Sequence, residues 1–167
     1  MSPRTYTPSP STFAEDPDRY RENGLHPLII GDTIKDGRYR IVHKLGSGSF
    51  ATVWLGRDTS ENKYVSLKIL SADIPLECKE LRILQDITES PVVHKGRDFV
   101  VQLLDHFVIE GPNGKHWCLV TAVAGDRLAR KPGLRYNSLD WPRIIGLQIA
   151  EALGYLHTLG IVHGGEC

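Results

Sequence analysis

Two glycines, a lysine and a glutamate have residue types and spacing that carry chemistry. Gly46-Ser47-Gly48-Ser49-Phe50-Ala51-Thr52-Val53 forms a glycine-rich turn, and Val65-Ser66-Leu67-Lys68 follows it. Glycines at such a turn let backbone N–H groups come close to a phosphate chain, because no Cβ blocks the approach and a positive φ costs little. A lysine beside them adds positive charge. Gly46, Gly48 and Ala51 also satisfy the G-x-G-x-x-[GA] spacing of a dinucleotide fingerprint. That motif must open a helix whose N-terminus holds the pyrophosphate, whereas Thr52-Val53-Trp54-Leu55 is strand-forming. A hairpin whose glycines serve only the turn is the plain structural alternative.

The elements that must position these groups follow from periodicity. Tyr39, Ile41, His43 and Leu45 alternate with Arg40, Val42 and Lys44, the period of a strand that ends at the glycine turn. A second strand is expected over residues 52–57, a polar turn over 58–62 and a third strand over 64–70. Asp73 reads as an N-cap with Pro75 in the first turn of a helix, along which Leu76, Glu80, Ile83, Leu84 and Ile87 recur at helical spacing. A carboxylate on that apolar stripe is costly unless it meets a cation. Lys68 is the cation that suits Glu80, with Glu77, about one turn earlier, as the other candidate.

Residues 88–98 read as a loop, and residues 99–109 as a strand that Gly111-Pro112-Asn113-Gly114 turns into another over 117–123. Asp105 and His106 are acid and base side by side, but neighbours on a strand point to opposite faces and make no dyad. Ala124-Gly125-Asp126 is a hinge-like break. A second helix is expected from Ser138 or Asp140 as N-cap, with Pro142 in its first turn, to about Leu159, stopping at Gly160. Its apolar face is Ile145, Ile149, Leu153 and Leu156.

Composition narrows the classes of function. At 167 residues the chain suits one ordinary domain or part of a larger one. Its 20 Lys and Arg balance 20 Asp and Glu, so no bulk field draws it to nucleic acid or an anionic membrane. Binding must come from a site. No run of about eighteen apolar residues and no charged-then-apolar leader is present, which makes an intracellular protein, cytoplasmic or nuclear, the expectation. Cys78, Cys118 and Cys167 show no C-x-x-C spacing, so free thiols are expected and neither a zinc site nor a disulfide framework. Pro3, Pro8, Pro10 and Pro17 among polar residues mark residues 1–25 as a disordered segment.

Gly-x-Gly-x-Phe-x-x-Val followed by Val-x-Leu-Lys, with five strands and one helix in this order, resembles the nucleotide-binding lobe of a eukaryotic protein kinase. Ala152-Leu153-Gly154-Tyr155-Leu156-His157 and Gly160-Ile161-Val162-His163 are similar to the first long helix of the kinase large lobe and the approach to its catalytic loop. Among kinases the chain resembles the SR-protein kinase family, especially its fungal members. The resemblance rests on Gly31-Asp32, on Gly37-Arg38-Tyr39-Arg40-Ile41-Val42-His43-Lys44-Leu45-Gly46, and on Val101-Gln102-Leu103-Leu104-Asp105-His106-Phe107 with Gly111-Pro112-Asn113-Gly114. Trp54, in Thr52-Val53-Trp54-Leu55, is its most specific single residue.

That resemblance implies an α+β fold: a small lobe over 26–125 with a five-stranded antiparallel sheet and one helix, then the start of the large lobe over 126–167. It implies ATP as ligand, with Mg2+ only in a full-length form. Lys68 and Glu80 would form the ion pair that sets the lysine on the α- and β-phosphates. Gly46, Ser47, Gly48, Ser49 and Phe50 would cover the phosphates. Leu45, Val53 and Ser66, where kinases usually carry alanine, would cover the adenine faces. Thr121 would stand at the back of the pocket, and the backbones of Ala122 and Ala124 would bond the purine edge.

His163 matches the histidine of the H-x-D motif, but Gly165 stands where that motif has its aspartate, the base for the substrate hydroxyl. The sequence stops at Cys167, so a kinase truncated after its first long large-lobe helix is the expectation. The implied function is the ATP-binding portion of a serine/threonine kinase that, at full length, phosphorylates serines of arginine/serine-rich proteins. The alternative is a catalytically inactive module that binds nucleotide or a partner. Without the remaining large lobe, the apolar face of the second helix is expected to be exposed and to mediate association.

Overall fold

The computed structural model describes residues 15–125 and 140–162. Its centre is an antiparallel sheet of β1 (Thr33–Ile34), β2 (Tyr39–Ser47), β3 (Ala51–Asp58), β4 (Lys63–Leu70), β5 (Leu103–Gly111) and β6 (Gly114–Thr121), in the order β1-β2-β3-β4-β6-β5. The five expected strands are all there, and the two-residue β1 makes a sixth. Two helices accompany them, α1 (Lys79–Glu89) and α2 (Asp140–Thr158).

Alternation along β3 and β4 divides the sheet into two faces. Val65, Leu67 and Ile69 of β4 join Trp54, Cys118, Val120, Tyr39 and Ile41 in one buried cluster. The intervening Ser66 and Lys68 lie on the other face and are only half-buried. The buried face is closed because the sheet rolls. Tyr39 on β2 stacks on Phe107 of the far edge strand β5, with ring centroids 5.7 Å apart. Asp105 of β5 accepts the Tyr39 hydroxyl at 2.7 Å and pairs with Lys35 and Arg38 in and beside the β1–β2 turn. Arg38 also binds the buried Asp58 at 2.9 Å, and that contact, ahead of the cost of desolvation, holds the carboxyl below its usual range.

The alternation expected for β2 does not run through the strand. The β2–β3 register slips between Ile41 and His43 and again between Lys44 and Gly46, leaving Val42 and Leu45 as extra residues. A bulge moves every later side chain to the opposite face. Tyr39 and Ile41 are therefore buried while His43 and Leu45 are exposed.

Helix α1 begins at Lys79, six residues after the expected Asp73 cap, and Cys78 at its N-cap makes no side-chain capping bond. Residues 71–78 turn instead: Ile74 N–H bonds the Ser71 carbonyl, and the Trp117 indole N–H takes the Leu76 carbonyl at 2.9 Å. Leu81 and Ile87 are buried on the helix, whereas Leu76 and Ile83 of the expected stripe are exposed.

The expected loop over 88–98 contains a 3-10 turn, Lys95–Phe99, so β5 starts at Leu103 rather than at Phe99. The Arg97 guanidinium, donating to the Thr88 and Ser90 carbonyls, ties this turn to the end of α1. The β5–β6 connection has Pro112 and Asn113 as its two loop residues, one position earlier than an Asn-Gly turn, and Gly114 takes φ +127°.

Helix α2 packs against the 3-10 turn so closely that a Cβ on Gly96 would lie 1.8 Å from the Glu151 carbonyl oxygen. Tyr155 is fully buried and donates its hydroxyl to the Ile87 carbonyl at 2.9 Å. The helix ends as expected: Gly160 takes φ +71°, Ile161 N–H bonds the Leu156 carbonyl, and Gly160 N–H bonds the His157 carbonyl. Of its expected apolar face, Ile149 and Leu153 are exposed, but Leu156 is buried against Ile87 and Tyr155. Ser138 and Asp126 lie outside the described residues, and α2 starts at Asp140.

The segment read as tail also differs. Residues 15–25 are packed on the sheet, with Leu25 fully buried, Asn113 donating to its carbonyl at 2.6 Å, and Pro17–Arg19 in a 3-10 turn. Residues 1–14 lie outside the described residues. His26 packs on His116, with ring centroids 4.7 Å apart, and both are buried. Burial, then the neighbouring His116, holds His26 at about 4, and burial likewise lowers His116.

Candidate functional site

A cavity of about 790 Å³ opens on the less covered face of the sheet, between the glycine-rich turn and the start of α1. That size falls within the roughly 300–1,000 Å³ typical of small-molecule sites. Antiparallel register builds its floor. Val53 of β3 stands opposite Lys68 of β4, and the second β2 bulge brings Gly46 opposite Val53. Leu45, Gly46, Ser47, Gly48, Ser49 and Phe50 form one wall. The other wall is residues 74–75 and 77–80.

Lys68 and Glu80 meet there, Nζ to Oε1, at 2.5 Å. Their side chains are 38% and 41% exposed, so the pair is reachable from the cavity and from solvent. Glu77 lines the same cavity without taking the lysine. The late start of α1 accounts for this arrangement. Glu80 sits in the first turn of the helix, close to where the chain leaves β4, while Cys78, Leu81 and Leu84 fasten α1 against Leu70 and Leu119.

Of the two properties expected of the glycines, the positive φ is not used and the open approach is. Neither Gly46 nor Gly48 takes a positive φ, and a Cβ on either would meet no atom within 4 Å. Nothing in the protein itself needs glycine at these positions. What they leave is open space along the turn, with the N–H groups of Ser49 and Phe50 bonded to no described residue. Free N–H groups, room for close approach and a lysine ammonium together suit a phosphate chain.

The predicted residues fall into two sets. Leu45, Gly46, Ser47, Gly48, Ser49, Phe50, Val53, Lys68 and Glu80 all converge on the cavity. Ser66, Thr121, Ala122 and Ala124 are outside its lining. Ser66 and Thr121 face each other across β4 and β6, on the Lys68 side of the sheet and one alternation further along. Thr121 ends β6, its hydroxyl donating to the Ala122 carbonyl at 3.4 Å, and residues 122–125 are exposed without strand pairing.

Sequence reasoning missed the contributions of Ile74, Pro75 and Cys78, because it placed them inside a helix. It also missed Arg19, whose guanidinium donates to the carbonyls of Gly48 and Ser49. No local signal marks an arginine thirty residues away in sequence. Among the described residues no cluster of His, Cys, Asp and Glu is suited to a metal ion, and Cys78 and Cys118 are free and buried. Burial pushes the Cys118 thiol up, which makes it inert. Among the described residues no helix is long and apolar enough to cross a membrane.

The chain has protein-kinase relatives. It is 39% identical over 159 residues to protein kinase dsk1 of Schizosaccharomyces pombe, an alignment that covers 91% of this chain and 29% of that protein. It is 37% identical over 150 residues to SRSF protein kinase 3 of Homo sapiens, covering 86% and 26% respectively. With serine/threonine-protein kinase SKY1 of Saccharomyces cerevisiae it shares 36% identity over 154 residues, covering 86% and 21%. The chain therefore spans less than a third of the length of each of these curated relatives. No family model matches it.

Proposed function

From the premise that this chain is homologous over most of its length to part of the SR-protein kinases, we propose that it is the ATP-binding portion of a serine/threonine protein kinase. The observation that carries the reading is the Lys68–Glu80 pair, facing a cavity walled by a glycine-rich turn with free N–H groups. In this reading ATP supplies the transferable phosphoryl group. The chain's own residues hold it: the Lys68 ammonium bears on the phosphates and is itself steadied by Glu80, while the Ser49 and Phe50 N–H groups turn to the phosphate oxygens. Leu45 and Val53 give the apolar cover for the base. Ser66 and Thr121, paired across β4 and β6, and the backbones of Ala122 and Ala124 just beyond β6 make its adenine end. Serines of arginine/serine-rich proteins are the substrate class for a form that carries the whole kinase, with Mg2+ as its metal, working in the cytoplasm or nucleus.

The experiment is thermal unfolding of the chain with and without Mg-ATP, beside Lys68→Met. A ligand at about a hundred times its dissociation constant adds roughly 2.7 kcal/mol. A rise in midpoint with wild type and none with Lys68→Met supports the reading. Equal shifts in both, or none in either, overturn it.

Gly165, where the family motif has aspartate, favours a second reading, a module that binds nucleotide or a partner without transferring phosphate. Labelled phosphate moved by the pure chain, and lost in Lys68→Met, would exclude that reading.

A further inference from the structure

Residues 15–25 span from the β5–β6 hairpin to the glycine-rich turn, and both ends are fastened. At the hairpin Leu25 is buried, Asn23 N–H bonds the Asn113 carbonyl at 2.8 Å, and Ala72 N–H bonds the Gly24 carbonyl at 2.9 Å. At the turn, Arg19 donates Nη1–H to the Gly48 carbonyl at 2.8 Å and Nη2–H to the next carbonyl, that of Ser49. Glu15 receives the Lys44 ammonium and the Tyr20 hydroxyl beside it. Burial pushes the Glu15 carboxyl up, but the bonds from Lys44 and Tyr20 more than offset this and hold it at about 2. Lys44 is also stacked, 5.2 Å from the Trp54 ring centroid.

In a planar trans peptide the carbonyl of one residue and the N–H of the next point in opposite directions. Fixing the Gly48 and Ser49 carbonyls on Arg19 therefore directs the N–H groups of Ser49 and Phe50 to the other side. Arg19 is not part of the cavity lining, while Ser49 and Phe50 are, and both N–H groups lack a partner among the described residues. A guanidinium fork suits the task, since its parallel donors fix two acceptors at once.

We propose that Arg19 is a positioning residue for phosphate binding: by gripping the outer carbonyls of the glycine-rich turn it holds the Ser49 and Phe50 N–H groups toward a phosphate group in the cavity. This rests on the nucleotide reading above and adds to it a residue from outside the site. Residues 15–25 become a brace, anchored at the hairpin and acting on the turn.

The test compares wild type, Arg19→Ala and Arg19→Lys in the whole chain. Binding of Mg-ATP and of adenosine, which has no phosphate, is measured by calorimetry, and amide hydrogen exchange is followed over residues 44–52. In Arg19→Ala, Mg-ATP affinity falls about five- to tenfold, while adenosine affinity stays within about twofold. Exchange over the turn speeds up, and Arg19→Lys recovers part of both effects. Unchanged exchange, or an equal loss for the two ligands, overturns the positioning role and leaves the nucleotide reading standing. A wild-type chain that binds no Mg-ATP overturns the nucleotide reading and the positioning role together.

Discussion

The two faces of the sheet are built from the same strands and behave in opposite ways. On β4 the closed face takes Val65, Leu67 and Ile69, all but inaccessible, and the open face takes Ser66 and Lys68 between them. The closed face is sealed because β2 and the edge strand β5 are drawn together by Tyr39, Phe107 and Asp105. The open face is covered at one end only, where α1 and residues 71–78 pack on Leu70 and Leu119. Strand alternation thus separates stability from binding by a single residue step. The sealed face fixes the backbone, so the open face can leave polar groups facing a cavity.

The strongest way to break this comparison is Leu67→Ala. Leu67 has 0% exposure, and truncating a buried leucine costs about 2–5 kcal/mol. Ser66→Ala, its neighbour on the open face, is expected to stay within about 0.5 kcal/mol. Denaturant unfolding of both variants checks the contrast. Comparable losses would mean that the faces do not differ.

Acid tests the closed side by a different route. His116 is fully buried on β6 with its ring bonded to the Leu70 carbonyl at 3.0 Å, and His26 lies on it. His26 drops to about 4 through burial and the His116 charge, against a smaller opposing effect from Asp32. Unfolded histidine titrates near 6.5, so between pH 6.5 and 4 the unfolded chain binds more protons and stability rises with pH. Stability is full above 6.5 and falls by roughly 3 kcal/mol as pH drops to 4. His26→Phe is expected to flatten that slope, and thermal midpoints across the range check it. A variant that keeps the wild-type slope refutes the assignment.

Tyr155→Phe sharpens the comparison at its margin. Removing the hydroxyl leaves the buried Ile87 carbonyl unpaired, at about 1 kcal/mol. Ile87 belongs to the helix that carries Glu80, so this variant shows how far α2 steadies the open face. Chemical unfolding reads the loss, and an unchanged midpoint would mean that the bond contributes nothing.

What could be read from sequence follows the same division. Strand-forming types marked β3 and β4, though their two faces came only with the structure, and Glu80 on a helix after a strand lysine pointed to the ion pair. Gly160 ended α2 where a helix-stopping glycine should. The β2 bulges were hidden because Tyr39, Ile41, His43 and Leu45 alternate smoothly in type while the pairing slips twice. The start of α1 depends on Trp117, forty-one residues beyond Leu76, and no local cap marks it. Arg19 reaches the turn across a similar gap. Contacts between distant segments settled these features, and neither propensity nor spacing records such contacts.

The smallest effect on stability is expected at the residues the site most depends on. Lys68 and Glu80 are close, but both are more than a third exposed. Solvent weakens an attraction of that kind, and ordering two long side chains offsets part of what remains, so exposed pairs contribute about 0.2–1 kcal/mol. In a double-mutant cycle of Lys68→Met and Glu80→Gln, the coupling energy without ligand should be about 0.5 kcal/mol. With Mg-ATP present the cycle should open if the proposed reading holds, since in that reading Lys68→Met removes the charge that meets the phosphates and Glu80→Gln removes what steadies it. A coupling above about 2 kcal/mol without ligand would make the pair a structural tie and blur the division between the faces. A small coupling that grows with nucleotide is what an open face built for binding requires.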